Sequence, residues 1–78
     1  MTDAQADILE ALVDLGRATV FELAEYTGRT LTLCRRTVPG LVDLGYAHQT
    51  GAQRRGRTGQ PPKVWAATVN GVFVTRAI

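Results

Sequence analysis

The side chains with the most chemical reach in this sequence are arginines. Arg35 and Arg36 interrupt an apolar repeat, while Arg54, Arg55 and Arg57 lie in a Gly- and Pro-rich stretch that ends at Lys63. A guanidinium is a planar fork of donors that fits a phosphate or the O6 and N7 atoms of guanine. Two separate arginine-bearing segments therefore point to a polyanion. Other chemistry is sparse. Cys34 and His48 are the only residues of their types, and neither has a partner at metal-ligand or triad spacing. No Gly-rich loop runs into Lys-Ser or Lys-Thr. The sequence thus predicts no enzyme, no catalytic residue, no metal site and no cofactor.

Charge is distributed along the chain in a way the net value of +2 conceals. Up to Gly28 there are six acids and one base, a balance of −5; from Arg29 onward there are eight bases and one acid, a balance of +7. Such a dipole suits a domain that turns one surface to a polyanion and the other to solvent or a partner. With 78 residues the chain holds one domain, 1–78. Folding hides only about 60% of the surface at this size, too little for a barrel or a doubly wound sheet. One cysteine excludes an internal disulfide and fits a reducing compartment. There is no leader-like start and no apolar run near the roughly 20 residues that cross a bilayer. The expectation is a soluble cytoplasmic protein, nucleoid-associated in a bacterium, with no membrane partner.

The elements that must position the arginines follow from apolar spacing. Thr2 or Asp3 caps a first helix carrying Ile8, Leu9, Leu12, Val13 and Leu15, which stops at Gly16. After the short extended link Arg17-Ala18, Thr19 and Glu22 have capping-box spacing and open a second helix with Val20, Leu23, Ala24 and Thr27 on one face. Gly28 ends it. A third stripe, Leu31, Cys34, Val38, Leu41 and Leu44, is capped by Thr30 and stops at Gly45. Two helices separated by only Thr27-Gly28-Arg29 must cross steeply, the helix-turn-helix arrangement. Residues 46–49 and 63–67 then alternate as short strands, and the connection between them is a loop without a large apolar residue. The final segment fits a helical stripe of Val69, Val72, Phe73 and Ala77 capped by Thr68, although Asn70-Gly71 is also a hairpin signal.

The run Thr19-Val20-Phe21-Glu22-Leu23-Ala24 through Thr27-Gly28, then Cys34, Val38, Leu41 and Leu44-Gly45-Tyr46, then Gly56-Arg57 to Pro62-Lys63-Val64-Trp65 with Thr68, resembles the winged helix-turn-helix regulators of the MarR, ArsR and PadR kinds. The resemblance covers nearly the whole chain. It implies an α+β winged helix-turn-helix fold of three helices and a two-stranded wing, a recognition helix at about 30–44, a wing at about 46–68, and a short C-terminal helix. Pro39-Gly40 departs from the pattern, and Pro39 is expected to kink or break the recognition helix near Val38.

With the Leu31–Leu41 stripe inward, Arg36 points outward with Thr32 and Leu33 beside it and Arg35 on one flank. A major groove admits one helix, so Arg36 is placed for guanine, Thr32 for a base edge or phosphate and Leu33 for a thymine methyl. Arg29 and Thr30, at the start of the helix, fall near a phosphate. Arg54, Arg55, Arg57 and Lys63 are suited to phosphates or a narrow minor groove. Tyr26 is a further phosphate-bonding candidate, whereas Trp65 and Cys34 read as packing residues. The partner expected is double-stranded DNA, with a repressor-like role, a homodimer formed through Ile8, Leu9, Val13, Val72, Phe73 and Ile78, and no small-molecule ligand or sensor domain. Two alternatives stand beside it: an architectural DNA-bending protein of recombination or replication, of phage or plasmid type, and a winged-helix protein-interaction module.

Overall fold

The computed structural model of the chain describes residues 1–53 and 62–77. Its elements run α1 (Asp3–Leu15), α2 (Val20–Thr27), α3 (Leu31–Asp43), β1 (Ala47–Gln53), β2 (Lys63–Ala67) and α4 (Val69–Ala77). Each of the first three helices begins where a threonine satisfies a backbone donor that the helix itself leaves free. Thr2 and Gln5 form one reciprocal capping box, and Thr19 and Glu22 form a second. Thr30 accepts from the Leu33 N–H at 3.2 Å. Loss of such a cap costs about 1 kcal/mol. Between α2 and α3 the chain turns at Gly28 with φ 73°, a left-handed conformation that glycine adopts without steric cost.

Three helices supply most of the core. Ile8, Leu9 and Leu12 of α1, Leu23 of α2, and Cys34, Val38 and Leu41 of α3 are almost fully shielded from water. Each large aliphatic side chain among them contributes about 1.5–3 kcal/mol. The expected stripes hold at their centres and fail at their ends, since Leu15 and Leu44 are exposed. Thr37, absent from the expected stripe, is buried instead, with its hydroxyl donating to the Leu33 carbonyl at 2.7 Å.

Pro39 does not break α3, which runs unbroken from Leu31 to Asp43. Pro39 is exposed, on the side of the helix away from the buried stripe, and what it withholds is one backbone donor. The expected break is therefore replaced by a single missing hydrogen bond.

β1 and β2 pair antiparallel, with Ala47 opposite Ala67 and Gln49 opposite Trp65, and the register shifts between Gln49 and Gln53. β1 extends to Gln53, further than the four-residue strand expected, because the pairing resumes at Gln53 opposite Lys63 beyond that irregularity. The link after α1 adds a third short segment: Ala18 and Trp65 exchange both backbone hydrogen bonds, at 2.9 and 2.8 Å. Trp65 is half-buried and packs against the helical core. The last segment is helical rather than a hairpin. Thr68 accepts from the Gly71 N–H and donates to the Gly45 carbonyl, which fixes α4 against the end of α3. No helix among the described residues is long and apolar enough to cross a membrane.

Candidate nucleic-acid interface

The outward side of α3 is formed by Thr32, Arg35, Arg36 and Pro39, all exposed and spaced to share one helical face. Cys34, Val38 and Leu41 hold the opposite side in the core, so the arginines cannot rotate inward without exposing that stripe. Arg36 has no hydrogen-bond or ion-pair partner among the described residues. Pro39 follows one turn later and carries no donor. Leu33, expected beside Arg36, is half-buried; it lies one turn before buried Thr37 and flanks the core stripe rather than the outward face.

Arg35 takes a different direction from Arg36. Its guanidinium carbon lies 5.6 Å from the centroid of the Phe21 ring, within cation–π range. Phe21 and Arg35 line a cleft of about 370 Å³ together with Pro39, Lys63 and Trp65. Two cations, one from α3 and one from the start of β2, thus border one recess. The sequence placed Arg35 and Lys63 among the basic candidates but gave no sign that they converge. It also left Phe21 unassigned, and only its half-exposed state on α2 marks it out.

Arg29 is not available in the way its position suggested. Its Nε donates to Asp7 Oδ2 at 3.0 Å, and Nη2 donates to the same oxygen. Tyr26 is likewise engaged: its hydroxyl donates to Asp14 Oδ2 at 3.1 Å, and this bond holds the phenol above its ordinary pKa. The acidic face of α1 therefore ties down the end of α2 and the turn into α3. Thr30 uses its hydroxyl oxygen as the α3 cap. Burial pushes the Cys34 thiol up, against smaller opposing effects from Thr27 and Arg29. Arg54, Arg55 and Arg57 lie outside the described residues, as does Ile78. Among the described residues no group of three or more His, Cys, Asp or Glu is gathered so as to hold a metal ion.

A steep helix pair with an arginine-bearing second helix, a two-stranded hairpin beside it and a closing helix together define a winged helix-turn-helix domain. No protein-family model matches the sequence, and no curated protein matches it significantly. Solved structures do match the fold. A variant of MarR from E. coli complexed with operator DNA superposes with a TM-score of 0.82 at 19% identity, over 99% of this chain and 52% of that one. A MarR family transcriptional regulator from Silicibacter pomeroyi gives a TM-score of 0.75 at 25% identity, over 96% and 47%. The YusO protein from Bacillus subtilis gives 0.81 at 20% identity, over 97% and 51%. The chain spans about half the length of these structures. The fold that the sequence resemblance implied is thereby shown.

Proposed function

We propose that this chain binds double-stranded DNA as a repressor-like transcription regulator, with α3 in the major groove and the hairpin on the flanking backbone. The observation that carries the reading is Arg36: exposed, unpaired among the described residues, and fixed outward by a buried stripe on the other side of its helix. Arg36 and Thr32 address base edges, while Arg35 and Lys63 address the backbone. Thr30, Leu33 and Arg29 border the same helix start, and Arg54, Arg55 and Arg57, between the two strands in sequence, would add to the backbone contact. The likeness to a MarR variant complexed with operator DNA supports the reading.

A titration of random duplex at increasing salt tests it. Binding should weaken steeply, with a slope in log K of about −0.9 per phosphate contacted. No binding at low salt would remove DNA as the partner and leave a protein-interaction module. Selection of bound sites from random sequence then separates a palindromic operator from the tandem, cooperative coverage of an architectural protein.

A two-fold pair is part of the proposal, since half-sites in operators mirror dimer symmetry. The surface for it retains Phe73 from the one the sequence suggested but loses its α1 residues Ile8 and Leu9. Ile8 and Leu9 are fully buried in the chain's own core and cannot serve, whereas Val69 and Phe73 of α4 are 73% and 68% exposed. Light scattering of the wild type and of Phe73→Ser checks it: a dimer that the substitution dissociates is expected.

A further inference from the structure

Phe21 is a large apolar side chain, 50% exposed, at the second position of α2, and it takes no part in the buried core. What it touches is a cation. Arg35 is long and exposed, and a side chain of that kind ordinarily samples many rotamers; here its guanidinium is drawn over the Phe21 ring at 5.6 Å. The ring lies to one side of the outward face of α3, so this contact carries Arg35 away from its neighbour Arg36 and into the cleft that Lys63 also borders. Pro39 and Trp65 supply apolar walls to the same cleft. Among the described residues no carboxylate lines it to offset its two positive charges.

We infer that Phe21 is a positioning residue whose ring holds Arg35 beside Lys63, so that the two form one clamp for a backbone phosphate and Arg36, with Thr32, is left to read bases. The inference rests on the DNA-binding reading above and assigns a division of labour within it. Its physical basis is threefold. A pre-placed guanidinium loses less rotational freedom on contact than a free one. The attraction between a cation and a ring face strengthens as water is excluded, which occurs when a duplex closes over the cleft. Two cations from different elements can grip one phosphate only if neither swings away, and without the ring Arg35 would be free to do so.

The test is a fluorescence anisotropy titration of a short labelled duplex of random sequence over a salt series, with thermal melts of each variant to verify folding. Phe21→Leu keeps apolar bulk but removes the π face. It should weaken binding about twofold to fivefold, the range of an exposed cation–π contact, and flatten the salt slope in the same sense as Arg35→Ala. The double variant should bind no more weakly than Arg35→Ala alone, because the ring acts only through the guanidinium. Phe21→Trp, with the stronger π face, should bind at least as tightly as the wild type. An unchanged Phe21→Leu, additive losses in the double variant, or a Phe21→Trp as weak as Phe21→Leu would each overturn the inference while leaving DNA binding intact. Failure of the wild type to bind at all would overturn the functional reading and this inference together.

Discussion

Arg29, the residue just before the α3 cap, donates two hydrogen bonds to one carboxylate oxygen of Asp7, 22 residues earlier on α1. The pair is partly exposed, with side-chain accessibilities of 32% and 52%. Such pairs contribute at most about 1 kcal/mol to stability. Their effect on availability is larger: a phosphate approaching the start of α3 meets an arginine that already has an anion.

Asp7→Asn should therefore cost little stability and release Arg29 to the backbone of a bound duplex. Affinity for random DNA should rise, and the salt slope should steepen by about 0.9, one added phosphate contact. If Asp7→Asn instead weakens binding, the ion pair serves to hold the turn in place rather than to restrain Arg29.

Arg36 and Lys63 should separate cleanly by substitution. Arg36→Ala is expected to cost about 1–3 kcal/mol on the preferred site and to relax one base position. Lys63→Ala should weaken all sequences alike, and Arg55→Ala should do the same. Competition between the selected site and random duplex measures the difference; equal loss of discrimination from Arg36→Ala and Lys63→Ala would contradict the assignment.

Gly71 of α4 packs against the chain itself. A Cβ there would collide with the Tyr46 carbonyl oxygen and stand 3.1 Å from Leu9 Cδ1. Gly71→Ala must push α4 away from Tyr46 and α1, an overpacking cost of about 1–3 kcal/mol. In a domain of this size that lowers Tm by roughly 4–8 °C per kcal/mol. Gly40→Ala should be tolerated by comparison, because the added carbon meets only the flexible amide end of Gln5, at 3.1 Å.

The buried Cys34 gives stability an alkaline dependence. Its thiol is raised in the folded chain, so the unfolded chain releases the proton first as pH passes the ordinary thiol value of about 8.5. The stabilising contribution is complete below that value and is lost as pH climbs through the raised native one. Melts of Cys34→Ala across this range should show a flatter decline than the wild type. Matching profiles would exclude Cys34 as the source.

The features legible in the sequence were those set by local spacing. Thr19 and Glu22 announce their capping box at a separation of three residues, and Cys34, Val38 and Leu41 announce a buried stripe by helical period. The candidate interface was legible to the same depth: Arg36 could be placed outward because its own helix decides that. What the sequence did not reveal depends on elements distant along the chain. Asp7 with Arg29, Asp14 with Tyr26 and Phe21 with Arg35 are pairings between helices whose relative rotation no local pattern encodes. Pro39 misled for a related reason. Its local cost is real, but it falls on the solvent side of a helix whose other side is held by the core, and packing outweighs one absent hydrogen bond.

The reciprocal backbone bonds between Ala18 and Trp65 make the hairpin a lever with a fixed fulcrum. Lys63 lies two residues before Trp65, on the same face of β2, so the pitch of the strand at Ala18 sets how far that lysine reaches. Ala18 is completely buried and bears only a methyl group. Any larger side chain there would press on the core that encloses it and disturb the strand bonded to it. A neutral alanine in the link between two helices thus helps to set how the hairpin is seated against them.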